Sequence, residues 1–405
     1  MKYNPIQNAF NGGELSPLLA GRSDVAKYQA GCKRLENFLP TIEGPAFARP
    51  GTIFVKEVKT SAYRTWLVRF VFSETDAYIL EFGDGYIRFF YGRGSVVVSG
   101  VSAWLTGTAY VAGDLRSEGG VNYYCRVAHT SGTFATDLAA SKWYPLTANV
   151  YEIPSPYAVA DLTNSDGTFA LDYAQSGDVI RLVGGGQPPQ KLSRFGATNW
   201  TMAPTEFNVP AFEAENTGAT TVYASAATGS VTLTATASIF TSARVGQYML
   251  LRERDVRDTE QWEAAKSITT NDLRRSDGRN YKALNTATTG SYKPTHTTGA
   301  AFDGDGGVQW EYQDSGYGWV KITAVGGTTA TATVVSQLPA GCVGAGQPSA
   351  RWAFSAWTAA EGYPTAITFF RERLVMARDA TLWFSVSSDF DNFATEVDGE
   401  ITADA

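Results

Sequence analysis

The chain has 405 residues, 44% of them hydrophobic and only 18% charged, with a formal net charge of -7. Such a chain can bury a real core, and its length sets a prior of roughly two to three domains. Static grip on a phosphate backbone normally needs a basic surface that releases counterions, so the acidic balance disfavours a tight nucleic-acid binder. Cys32, Cys125 and Cys342 are sparse, odd in number and in no CxxC pair. That argues against a disulfide framework and a Cys zinc site, and free thiols in a reducing cytosol are expected. Aromatic residues make up 13% of the chain, and 40 Gly and 16 Pro punctuate it. Aromatic and β-branched residues suit pleated surfaces, so many short strands joined by tight turns are expected.

The N-terminal residues 1–50 are polar and broken. They lack the charged start and apolar core of a signal peptide and the length of a membrane span. The stretch "SDVAKYQAGCKRLENF" is the best helix candidate in the chain, although its Gly weakens it. Residues 51–100 begin β-type structure: "WLVRFVFSETDAYILEFGDGYIRFFYGRG" alternates apolar and polar positions around Gly83-Asp84-Gly85, a strong hairpin pattern. A unit of the same kind lies in 148–212, with a turn at Ser176-Gly177 and an outer hairpin ending at Trp200. Another lies in 362–405, folded around a short Arg-Asp turn. Repeated units of three to four strands resemble propeller blades, each needing neighbours to cover its faces. The expected fold is therefore mainly β: a partial β-propeller with inserted small β modules and an extended N-terminal arm.

The insertions contain a repeat of their own. "GVNYYCRVAHTSGTF" (120–134) aligns without gaps on "GRNYKALNTATTGSY" (278–292), sharing Asn122/Asn280, Tyr123/Tyr281 and Gly132/Gly290. Two modules are expected at 101–147 and 275–323, separated by a Thr/Ala-rich β domain at 213–274. A β connection is expected at 324–361. Trp104, Tyr110, Tyr124 and Trp143 in the first module, with Tyr281, Trp310, Tyr312 and Trp319 in the second, could either build small aromatic cores or form flat platforms for sugars.

Catalytic motifs are scarce. His129 and His296 are the only histidines, which removes HExxH zinc chemistry, and no GxSxG elbow or Walker loop occurs. Cys125, His129 and Asp137 can be drawn as a nucleophile set, but the spacing reads as strand packing. Asp303, Asp305 and Asp314 partly imitate a calcium loop with the wrong residues at its middle positions. Asp389 and Asp391 read as an Asx-type turn. No catalytic residue, metal site or cofactor is expected.

Two blocks carry a resemblance. "NAFNGGELSPLLAGRSDVAKYQAGCKRLENFLPTIEGPAFARPGTIFV" and "GYPTAITFFRERLVMARDATLWFSVSSDFDNF" resemble the tail nozzle proteins of short-tailed bacteriophages, also called tail tubular protein B. The match covers the first hundred residues or so and 362–405; the middle matches loosely. The first module also looks like the small aromatic modules attached to polysaccharide-binding enzymes. The resemblance implies a structural virion protein, assembled in the host cytoplasm as a homo-hexameric ring at the distal end of the tail. Its implied partners are an adaptor ring and, beyond it, tail fibres or spikes; phage DNA would pass through the bore without specific binding. Acidic and small polar residues are expected to dominate that bore, because carboxylates repel phosphates.

In this picture residues 1–50 are a strap ordered by its partners. Leu15, Pro17, Arg22, Asp24, Tyr28, Leu35, Asn37, Phe38, Arg49 and Pro50 are then the interface residues. The family usually continues past this point, so further propeller strands are expected. The rival from another class is a glycan-binding or glycan-degrading surface protein acting through Trp104, Tyr110, Tyr124, Trp143, Tyr281 and Trp310. A generic propeller scaffold is a third reading.

Overall fold

The computed structural model describes residues 6–73, 76–253, 259–304, 306–394, 396–397 and 400–401. Strand accounts for 43% of the chain and helix for 5%, so the protein is mainly β. The single α-helix among the described residues is Phe134–Ala139, whose start is capped by the Thr133 hydroxyl. The helix expected over the stretch that includes Ala26–Ala30 is one 3-10 turn, followed directly by the extended pair Gly31–Cys32. Gly31 has extended backbone here and its amide caps the turn, so the α pattern stops there. The chain divides into two compact units, 1–56 and 57–405.

Within the larger unit three sheets have the form of propeller blades. The first runs Glu152–Pro154, Tyr86–Tyr91, Ala77–Gly83, Trp66–Val71 across the sheet. Asp84-Gly85 makes its tight turn, and Gly85 takes φ +72, a conformation that favours glycine. The second is a four-strand meander, Leu171–Ser176, Val179–Gly184, Gln190–Gly196 and Asn199–Pro204. The third pairs Ala366–Phe370, Arg373–Arg378 and Thr381–Phe384. One core joins the first two blades through Phe70, Leu80, Phe89, Leu182, Leu192 and Trp200. A second joins Val183 of the middle blade to Ile367, Leu374 and Met376 of the last. The middle blade thus has apolar partners on both sides, the neighbour dependence that blade packing requires.

Buried charges tie the first blade together. Glu152, at 0% exposure, lies between Lys59 Nζ at 2.6 Å and Arg88 Nε at 2.7 Å. Arg88 stands directly across from Glu152 on one side and from Glu81 on the other. Residues 152–154 therefore belong to the first blade, outside the 148–212 unit expected for the second.

The middle of the chain departs from the expected boundaries. Val222–Ala224, Ser230–Ala235, Thr329–Ser336, Tyr317–Val325, Tyr248–Arg252 and Trp352–Phe354 form one six-stranded sheet, in that order. The stretch 324–361 is therefore no mere connection, because Ala330, Ala332, Leu338, Cys342 and Phe354 are part of this sheet's core. The second module is inserted between two neighbouring strands of that sheet and includes Ser267–Ile268 and Leu273–Ser276. It begins well before residue 275.

The two modules share one framework far beyond the aligned stretch, with equivalent residues 158 positions apart. Ser131 Oγ donates to the carbonyl oxygens of Leu105 and Thr108, and Thr289 Oγ1 donates to those of Glu263 and Lys266. Asp114 accepts the Val111 amide, and Asp272 accepts the Thr269 amide. Both modules bridge through parallel pairs, Ala103–Ser117 and Gln261–Arg275.

Candidate assembly surface

The N-terminal unit folds through backbone hydrogen bonds and almost no burial. Gly13–Glu14 pairs in parallel with Gly31–Cys32. The Gly12 amide donates to the Ala30 carbonyl at 2.8 Å, where a Cβ on Gly12 would meet the same oxygen. Leu15 packs so closely on Gly31 that a Cβ there would lie 2.4 Å from its Cγ. Phe38–Pro40 and Ala46–Ala48 then form an isolated hairpin. Such a two-stranded piece is marginal in water on its own.

Many of the expected interface residues hold the strap's own shape. Leu15 N donates to the Cys32 carbonyl, Leu35 N to Glu14 Oε2 and Gly21 N to the Tyr28 hydroxyl. Pro17 opens a short 3-10 turn capped by Ser16. Arg22 and Asp24 pair at 2.6 Å on the surface, a contact that depresses the Asp24 carboxyl. Asn37 takes φ +59, and its carbonyl accepts the Arg49 amide at 2.7 Å, closing the hairpin's base next to Pro50.

What remains is a set of uncovered apolar side chains. Among the described residues of 6–56 only Gly31 and Gly44 are buried. Leu39 and Phe47 are cross-strand neighbours, so they share one hairpin face, while Phe38 and Ala48 pair on the other. Phe47 is 60% exposed, and Ile42 at the hairpin's tip is 91% exposed. Leu18, Ile53 and Phe54 are more exposed than Phe47. Covering each large apolar side chain is worth roughly 1.5–3 kcal/mol. Segments with so little to bury are commonly ordered by a partner.

The expected sugar platform is corrected. Tyr110, Tyr124, Trp143, Tyr281 and Trp310 are buried and therefore have no ring face to offer a sugar. Trp104 is partly buried against the Phe134 ring. Small sheets need large rings to fill their interiors, and each of these rings has that role. Tyr110 and Trp143 meet edge to face at 5.1 Å. Tyr124 donates its hydroxyl to the Trp200 carbonyl in the core shared by the blades. Tyr312 and Trp319 also face largely inward. In the second module the exposed rings are Tyr292 and Phe302 instead.

The candidate chemical groups are accounted for in the same way. Cys125 Sγ lies 3.9 Å from His129 Nδ1, and His129 Nε2 lies 3.5 Å from Asp137. The three meet, but Cys125 is 0% exposed and burial pushes its thiol up to about 11, the reverse of an activated nucleophile. His129 Nδ1 is within hydrogen-bond distance of the Val127 carbonyl, and Asp137 is held by Lys142 at 2.8 Å. Asp303 accepts the indole N–H of both Trp262 and Trp310 and the Val308 amide, so its carboxylate is a structural hub. Asp305 lies outside the described residues. Among the described residues no cluster of His, Cys, Asp and Glu could hold a metal ion. Asp389 accepts the Asp391 amide as an Asx turn, and Asp391 pairs with Arg181 at 2.5 Å.

Two carboxylates do line a cleft of about 360 Å³ between Phe212, Tyr317 and Trp383. Both are engaged: Glu213 with Arg378 at 2.7 Å and Glu215 with Arg351 at 2.7 Å. No described helix is long and apolar enough to cross a membrane.

No protein-family model matches the chain, and no curated protein matches it.

Proposed function

We propose that this chain is a structural subunit of a tail nozzle, a hexameric ring that extends and gates the DNA channel of a short-tailed bacteriophage. The observation that carries this reading is the N-terminal unit. It is pinned by its own backbone bonds but leaves Leu18, Phe38, Leu39, Ile42 and Phe47 uncovered. A strap of this kind gains its burial only in an assembly. Three blades with shared cores suit a ring wall, and a net charge of -7 suits a conduit that lets phosphate backbones slide past. In this reading the protein carries out no reaction; it assembles with itself and with an adaptor ring.

The test is direct imaging of purified particles, with and without the adaptor. Hollow hexameric rings support the reading, and a monomer indifferent to the adaptor rejects it. The glycan-binding alternative would have to use Tyr292 and Phe302, since five of the six rings first expected to do so are buried and Trp104 is packed against Phe134.

A further inference from the structure

We infer that the N-terminal unit of one copy docks on the 57–405 body of a second copy. The inference rests on the ring reading and deepens it by naming what the strap grips: another copy, ahead of the adaptor.

The first observation is charge. Residues 1–56 contain seven Lys and Arg against four Asp and Glu; residues 57–405 contain 26 against 36. The strap is thus basic by three charges and the body acidic by ten. Within the strap, Arg22 pairs with Asp24 and Arg34 with Glu36. Lys27, Lys33 and Arg49 are exposed and make no ion pair among the described residues. Bodies of like sign repel one another when packed side by side. A connector of opposite sign laid across the junction offsets that repulsion and sets the partner's orientation.

The second observation is the hairpin. Leu39 and Phe47 on one face, Phe38 on the other and Ile42 at the tip form an apolar element that the N-terminal unit itself leaves exposed. The third is reach. Lys59 is fixed to the first blade by Glu152, while residues 50–58, between it and the hairpin's base, have neither helix nor strand. Nine extended residues span about 30 Å. A compact body of this length has a radius of gyration of about 20 Å, so the hairpin can reach a neighbouring copy.

The experiment uses the full chain. Light and isotopically heavy copies are mixed in equal amounts before assembly, then joined with a zero-length carbodiimide that links lysine to carboxylate. Light-to-heavy links from Lys27 or Lys33 to acidic residues of 57–405 are expected at about the same abundance as same-label links. The full-length variant Lys27→Glu/Lys33→Glu/Arg49→Glu should self-associate at least tenfold more weakly at low salt. That difference should shrink as salt rises, because the Debye length falls from about 10 Å at 0.1 M to about 3 Å at 1 M. Rings carrying only same-label strap-to-body links overturn the inference while leaving the ring reading intact. So do rings that assemble equally well with reversed charges. A full chain that stays monomeric at every salt concentration overturns both.

Discussion

Glu152 offers a sharp energetic test. Its carboxylate is fully buried and holds two cations, Lys59 at 2.6 Å and Arg88 at 2.7 Å. Glu152→Gln keeps the shape and removes the charge. Lys59 is partly solvent-accessible and can turn to water, but Arg88 is only 6% exposed. Removing one partner of a buried pair costs about 3–5 kcal/mol; the retained amide oxygen places this variant near 3 kcal/mol. Urea unfolding followed by tryptophan fluorescence measures the loss. The double change Glu152→Leu/Arg88→Met should recover most of it, because an apolar pair leaves no stranded charge. A loss below about 0.5 kcal/mol for the single variant would refute the reasoning. The pH dependence has a definite sign. Burial opposes the Lys59 charge, yet the Glu152 and Tyr144 contacts outweigh it and raise the Lys59 pKa above 10.5. The stabilisation is therefore complete below pH 10.5 and is lost as pH climbs through the raised value.

Gly132 and Gly290 occupy the same repeat position, yet alanine should separate them. A Cβ on Gly290 would lie 2.0 Å from the Asp303 carbonyl oxygen, whereas the nearest atom to one on Gly132 is 4.0 Å away. Gly290→Ala should cost about 1–3 kcal/mol and Gly132→Ala little, as thermal unfolding of the two variants would show. Trp143→Ala should destabilise the first module by about 3–5 kcal/mol; a fully stable variant would mean the ring is not core. Cys342 is buried and its thiol is pushed up to about 12, so native alkylation should mark Cys32 first. Mass mapping that finds Cys342 modified at the same rate would contradict the fold in that region.

The blade strands were readable because their alternation and turns agree: Asp84-Gly85 and Ser176-Gly177 sit where both patterns require them. The six-stranded sheet was not readable. Its strands come from 222–252, 317–336 and 352–354, and pairing across an inserted module leaves no local trace. The sugar platform failed for a related reason. Alternation shows that a ring such as Tyr281 lies on one face of a strand, while burial depends on a second layer supplied from elsewhere. The strap shows the converse case. Its polarity reads as a segment with little to bury, but the roles of Leu15, Tyr28 and Asn37 as internal braces follow from turns that only the folded backbone displays.

The most direct test of the account is the mass and symmetry of the assembled full chain, by native mass measurement and particle imaging. The account predicts a hollow ring of six copies with the N-terminal straps enclosed between bodies. A stable monomer whose residues 10–50 stay open to protease and solvent exchange, with and without the adaptor, would contradict it.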